Sequence, residues 1–198
     1  MQTHKVTVTT YDFDELSDAA KTHALEKLYD INVDFTGWAE FVLDDAKEWG
    51  AMLGIEIEDI FYSGFSSQGD GACFTGRYYY KKGSQKAIRE HAPQDDTLHA
   101  IADGLAAAQA SAFYRLEASV SHRGHYYHEL CTDITVDNSE SYAVSEDNEN
   151  AITEALRDFM RWIYSRLETQ YYYLTSESAI VETIKANEYQ FTENGNLY

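Results

Sequence analysis

The stretch that decides the fold is Ile55-Glu56-Ile57-Glu58-Asp59-Ile60-Phe61-Tyr62, followed after a glycine-rich interruption by Ala72-Cys73-Phe74-Thr75-Gly76-Arg77-Tyr78-Tyr79-Tyr80. Its apolar residues fall at strand period and are rich in β-branched and aromatic side chains, so the two halves read as a hairpin. Downstream, Phe113 to Ser121 and Tyr126 to Val136 repeat the pattern around Arg123-Gly124 and read as a second hairpin.

Helical signals surround these four strands. Ser17 is placed to cap a helix running to about Ile31, with Leu16, Ala20, Ala24 and Leu28 on its inner face and Asp18, Glu26 and Asp30 on another stripe. A second helix, about Trp38 to Leu53, is expected to turn Trp38, Phe41, Val42, Trp49, Met52 and Leu53 inward, to present Glu40, Asp44 and Glu48 outward, and to stop at Gly54. After Gly83 come a short helix, the sole proline (Pro93), and an alanine-rich helix from about Asp95 to Ala110.

Ser145 is placed to cap a long helix whose core stripe is Ile152, Ala155, Leu156, Phe159, Ile163 and Leu167. A last helix, about Ser176 to Asn187, precedes an edge strand at Tyr189-Gln190-Phe191. A short first strand is expected over Lys5-Val6-Thr7-Val8-Thr9. Strand pairs segregated from helices give an α+β class: an antiparallel sheet of two hairpins packed with about five or six helices, in a single domain over residues 1–198.

Charge is the strongest compositional signal. The chain has 34 acidic and 15 basic residues, a formal net charge of −19. Such a balance opposes direct contact with nucleic-acid phosphates or anionic lipid and permits a basic partner. The acid is concentrated in residues 1–60 (14 acids, 4 bases) and 131–198 (13 acids, 4 bases), around a near-neutral middle. Cys73 and Cys131 fit neither a close-spaced metal pair nor a disulfide framework, and no stretch approaches the ~20 apolar residues of a membrane span. The expectation is a protein of the cytoplasm, with reduced thiols, no metal and no cofactor.

Two segments carry chemistry-bearing residues. Ser63-Gly64-Phe65-Ser66-Ser67-Gln68-Gly69-Asp70-Gly71-Ala72-Cys73-Phe74 reads structurally as a bulged hairpin in which Gly69 and Gly71 supply positive φ and Asp70-Gly71 makes the turn. Its functional reading is a loop whose amides, Gln68 and Asp70 hold a polar ligand or partner. The second segment, Ser121-His122-Arg123-Gly124-His125-Tyr126-Tyr127-His128-Glu129, crowds three of the seven histidines and a carboxylate around a turn. Strand alternation separates Tyr126 and His128 from Tyr127 and Glu129, which argues for a polar tip over a metal site. Catalytic templates are missing: there is no Gly-x-Ser-x-Gly elbow, and the spacing of cysteines and histidines is uninformative. The tyrosine triplets Tyr78-Tyr79-Tyr80 and Tyr171-Tyr172-Tyr173 read as half-buried structure.

Thr10-Tyr11-Asp12-Phe13-Asp14-Glu15-Leu16, the block Ser63 to Phe74, and Ser121-His122-Arg123-Gly124 with Tyr126-Tyr127-His128-Glu129 together resemble a family of small bacteriophage and mobile-element proteins, sometimes labelled antitoxin-like. The resemblance implies a viral or mobile-element protein acting inside a bacterial host, and it brings no catalytic residues.

Two functional expectations follow. One is an acidic binding protein that neutralises a basic, nucleic-acid-handling host protein, in an anti-CRISPR, antirestriction or antitoxin-like role. Its carboxylates, spaced about 6 Å apart along a helix, would imitate phosphates, and its contact residues would be Asp18, Glu26, Asp30, Glu40, Asp44, Glu48, Gln68 and Asp70. The other is a small enzyme or polar-ligand binder using Gln68, Asp70, His122, His125, His128 and Glu129. Convergence of the two hairpin tips on one cavity is the observation that separates them.

Overall fold

The computed structural model describes residues 7–198, and their fold is α+β, with six α-helices and two antiparallel sheets. The chain divides into two compact units, one made of residues up to Trp38 together with Thr169–Tyr198, the other of Ala39–Glu168.

The first unit holds β1 (Tyr11–Asp12), α1 (Asp18–Lys27), α6 (Glu177–Ala186) and β6 (Gln190–Phe191). β1 and β6 pair antiparallel, Tyr11 opposite Phe191. Phe13, Leu16, Ala20, Ala24, Ile180, Ile184 and Phe191 form its core. Ser17 Oγ accepts from Ala20 N–H, the cap the sequence assigns it, and Ser176, expected only as the start of the last helix, caps α6 by accepting from Ala179 N–H. Asp14 pairs with Lys185 at 2.8 Å.

Two expectations are corrected in this unit. Of the strand expected over Lys5–Thr9, Lys5 and Val6 lie outside the described residues, and Thr7 to Thr9 are irregular; the strand is Tyr11–Asp12. α1 ends at Lys27, not Ile31. The chain beyond it turns because Asn32 is drawn into tertiary hydrogen bonds, donating to Leu174 O (2.9 Å) and accepting from Thr183 Oγ1 (2.7 Å). Asp30 therefore leaves the stripe shared by Asp18 and Glu26.

The second unit is built on a four-stranded meander, in the order β2 (Ile55–Tyr62), β3 (Ala72–Tyr79), β4 (Leu116–His122), β5 (Thr132–Asn138), all antiparallel. Ile55, Phe74, Tyr78, Leu116, Ala118, Val120 and Val136 are buried, whereas the intervening Arg77, Ser119, Ser121, Asp133, Thr135 and Asp137 are exposed. That alternation is what a sheet with one covered face requires. The helices of this unit are α2 (Glu40–Leu53), α3 (Ser84–His91), α4 (Asp96–Ser111) and most of α5 (Glu146–Leu174). All six residues assigned to the inner stripe of α5 are buried, and Phe159 meets Phe74 edge to face at 6.1 Å.

Two polar side chains inside this unit are tied to distant segments. The buried Gln109 amide donates to Leu116 O (2.7 Å) and Tyr78 OH (3.2 Å) and accepts from Leu116 N–H (3.1 Å). Trp162 Nε1–H donates to Asp95 Oδ2 (2.8 Å) while Asp95 Oδ1 caps α4 through Leu98 N–H (2.9 Å).

α2 begins at Glu40 and stops at the left-handed Gly54 (φ +89°). Its buried stripe is Val42, Ala46, Gly50 and Leu53, so Phe41 does not turn inward; it is 71% exposed. The small residues carry that stripe because β2 and α5 come close: a Cβ on Gly50 would meet Ile57 Cδ1 at 3.1 Å and the Phe159 ring at 3.4 Å. The second hairpin is also shorter than its sequence suggests. Phe113 and Tyr114 take left-handed backbone (φ 55° and 64°) before β4, and β5 starts at Thr132, which leaves Tyr126, Tyr127 and His128 in the connection. Tyr171 to Tyr173 are helical, in the last turns of α5. Among the described residues no helix is long and apolar enough to cross a membrane.

Candidate functional site

The connection between β2 and β3 is closed at its base by Ser63 N–H donating to Gly71 O (3.1 Å). Inside it, Asp70 N–H donates to Ser67 O (3.1 Å), and Asp70 Oδ2 accepts from Ser66 N–H (3.0 Å) and Ser67 N–H (2.6 Å). These two amides, Ser67 first, hold the Asp70 carboxyl below the usual carboxylate range; Ser63 Oγ, buried nearby without a hydrogen bond of good geometry, adds the weakest pull. The turn thus spans Ser67 to Asp70 with Gln68-Gly69 at its centre, two residues earlier than an Asp70-Gly71 turn. Gly69 has the positive φ expected of it (+96°), but Gly71 does not; glycine is needed there for another reason.

That reason is the second connection. A Cβ on Gly71 would lie 2.5 Å from His128 Cβ and 2.6 Å from His128 Cα, and one on Gly69 would lie 3.2 Å from the Tyr126 ring. The chain after β4 packs directly onto the two glycines. This second loop is closed by Arg123 N–H donating to Cys131 O (2.9 Å). His128 caps its final turn, Nδ1 accepting from Leu130 N–H (3.2 Å), and Phe61 stacks with His122 (5.2 Å) and Tyr127 (5.7 Å). These partners explain why Tyr126 to His128 leave the strand their composition favours.

α5 supports both loops one helical turn apart. Arg161 Nε–H donates to Glu129 Oε1 (3.2 Å), and Tyr164 OH donates to Gly64 O (3.0 Å) while its ring stacks on Phe65 at 5.5 Å. Arg161 also pairs with Asp158 and, at 3.6 Å, with Glu154. Nothing in the sequence marks Phe61, Phe65, Arg161 or Tyr164 as members of this assembly, because their roles depend on contacts between distant segments.

Between the loops lies an open cleft of about 550 Å³ lined by Gln68, Gly69, Asp70, Tyr126, His128 and Glu129. Four of the six residues assigned to a ligand site therefore come together: Gln68, Asp70, His128 and Glu129. His122 and His125 do not line it; the His122 ring faces Tyr126 O at 2.9 Å and His125 is exposed. The strand-alternation argument that set Glu129 apart from Tyr126 and His128 fails because none of the three is in a strand.

The fold also makes a thiol–imidazole pair, with Cys131 Sγ 3.2 Å from His128 Nε2. Since Nδ1 accepts the Leu130 amide proton, the neutral ring carries its own proton on Nε2 and donates it toward sulfur. In this tautomer the imidazole is a donor to the thiol and not a base for it. Cys73 is buried, and burial, reinforced by the nearby Cys131, pushes its thiol up to about 12.

The acidic positions are exposed as the sequence implies. Asp18 and Glu26 lie on the solvent side of α1, with Asp30 beyond its end, and Glu40, Asp44 and Glu48 form one row on α2. Among the described residues none of these three row carboxylates has an ion-pair partner. Their field reaches the half-buried Asp45. Burial first, then Glu48 and Asp44, push its carboxyl above the usual range, against the opposing pull of Arg166.

No curated protein and no solved structure matches the chain. One family model does, over residues 38–177, a span that includes both loops, the whole of α5 and the whole α2 row, but not Asp18, Glu26 or Asp30. With well over half of its length inside that match, the chain belongs to the family described as a domain of unknown function (DUF8835).

Proposed function

We propose that this chain is an acidic binding protein whose partner is a basic protein that handles nucleic acid, and that it inhibits that partner inside a bacterial cell. The observation that carries the reading is the α2 row, three exposed carboxylates at i, i+4 and i+8 with no cation paired to them among the described residues, in a chain of net charge −19. Unpaired like charges on one helix face cost stability in the free protein. A basic groove would offset that cost on binding, and about 6 Å of rise between successive carboxylates suits a surface made for phosphates. The likeness to mobile-element proteins supports an anti-defence or antitoxin-like setting.

Affinity capture from bacterial lysate, followed by binding of the purified partner in competition with its nucleic acid, tests the reading. The expected partner is basic, is displaced by nucleic acid, and binds less tightly as salt rises. A partner of acidic or neutral charge, or one that binds alongside its nucleic acid, would contradict it.

The joined loops favour a second reading, a binder of a small polar ligand, because two connections far apart in sequence build one cleft. The tautomer of His128 argues against extending this to an enzyme that uses Cys131 as a nucleophile, since the ring has no free nitrogen to take the thiol proton.

A further inference from the structure

We propose that the cleft between the two loops receives a guanidinium group, the side chain of an arginine presented by the basic partner; this rests on the basic-partner reading above. Its lining contains no lysine or arginine and has two carboxylates, Asp70 and Glu129, an amide, a phenol and the His128 imidazole, whose two nitrogens face Leu130 N–H and Cys131 Sγ. An anionic ligand would face both carboxylates without a counter-charge. Among the described residues no group of three histidine, cysteine or acidic side chains is placed to hold a metal ion. A cation that spreads its charge over several donors is the chemistry that remains.

The acceptors are held in place and only partly used. Asp70 Oδ2 is fixed by the Ser66 and Ser67 amides, and Glu129 Oε1 by Arg161, whereas Glu129 Oε2, the Gln68 amide and the Tyr126 hydroxyl have no hydrogen-bond partner among the described residues, and the Asp70 carboxyl has only the weak pull of Ser63 beyond its two amides. Fixing one oxygen of each carboxylate orients the other, so little side-chain entropy is lost when a ligand arrives. Arg161 does not cancel the attraction, because Asp158 and Glu154 share its charge. Asp70 stays ionised because its two amide donors favour the charged form.

Arginine fits better than lysine. A guanidinium has five N–H donors in a fixed plane to meet acceptors spread along both loops, against three on a compact ammonium. Tyr126, 61% exposed, sets one edge of its ring on Gly69 and stacks with the His128 ring at 6.4 Å, so the cleft is lined by aromatic surface of the kind a guanidinium packs against.

The test is a ¹⁵N–¹H titration of the full chain with N-acetyl-arginine methylamide, N-acetyl-lysine methylamide and inorganic phosphate. The expected result is saturable amide shifts confined to Gln68–Gly71 and Tyr126–Glu129, with the arginine probe bound about fivefold more tightly than the lysine probe and no effect from phosphate. Gln68→Ala, which removes an exposed side chain that holds nothing in place, should weaken the arginine probe severalfold, as should Glu129→Gln, in each case with native spectra elsewhere. Phosphate binding in the cleft, equal affinity for the two cationic probes, shifts that never saturate, or Gln68→Ala binding like the parent would each overturn the proposal. Its failure is distinct from that of the partner reading. If the probe binds as expected but reversal of the α2 row leaves partner capture unchanged, the row is at fault. If partner capture responds to the row but the probe does not enter the cleft, the guanidinium site is at fault.

Discussion

His128 rests on Gly71 so closely that a Cβ on the glycine would lie 2.5 Å from His128 Cβ and 2.6 Å from its Cα. Because the obstacle includes backbone, no side-chain rotation relieves it, and the two loops cannot stay joined around a larger residue.

Gly71→Ala should therefore destabilise the protein by about 1–3 kcal/mol, the range for forcing a methyl into a filled site. Gly104→Ala is the control. Gly104 sits within α4 with nothing inside 4 Å of an added Cβ, and alanine there should stabilise by up to about 1 kcal/mol through helix propensity. Urea denaturation of the two variants checks the pair. Equal, small effects would show that the loops do not depend on this contact.

Asp45 is a carboxylate whose charge is unwelcome in the folded state, with burial the first cause and Glu48 and Asp44 adding to it. A group whose folded pKa is raised binds its proton more readily when folded, so its ionised form costs stability above that pKa and the cost vanishes below the unfolded value. Asp45→Asn should raise the thermal midpoint at pH 7, by no more than about half a kcal/mol in stability, and this gain should disappear by about pH 3. A gain that persists in acid would place its origin outside the charge.

Asp70 has the opposite sign. Its folded pKa is lowered by the Ser67 and Ser66 amides, so its contribution is present above the unfolded value of 3.8 and is lost as pH falls through the lower folded one. Hydrogen exchange at the Ser66 and Ser67 amides should rise in Asp70→Asn at neutral pH, and in the parent only in strong acid. If exchange at both sites is the same in parent and variant, the carboxylate is not what orders the loop.

Much of the architecture follows from local chemistry that the sequence states openly. Ser17 and Ser176 cap where an N-cap oxygen is needed, Gly54 ends α2 in left-handed backbone, and two apolar runs of strand period pair as β2 and β3. What stays hidden depends on partners far away in the chain. Phe41 reads as core because it is large and apolar, yet Ala46 and Gly50 carry the buried stripe, since a close neighbour rewards small residues there. Tyr126 to His128 read as strand because aromatic residues favour strands, yet Gly69, Gly71 and Phe61 offer those rings better packing in a loop. The cleft was legible as two separate polar segments; that they meet depends on glycines whose missing side chains leave no periodic signal.

If exposed acid on α2 engages a basic partner, the association rate depends on it more than any other observable does. Stopped-flow binding of the captured partner should be compared for the parent and for the combined Glu40→Lys, Asp44→Lys and Glu48→Lys variant, at low salt and at 0.15 M ionic strength, where attraction is screened beyond about 8 Å. The parent's association rate should fall steeply with salt, and the variant should associate at least about tenfold more slowly at low salt with a thermal midpoint close to the parent's. A variant that associates as fast as the parent at low salt would contradict that engagement, and would leave the row as a solvated helix face.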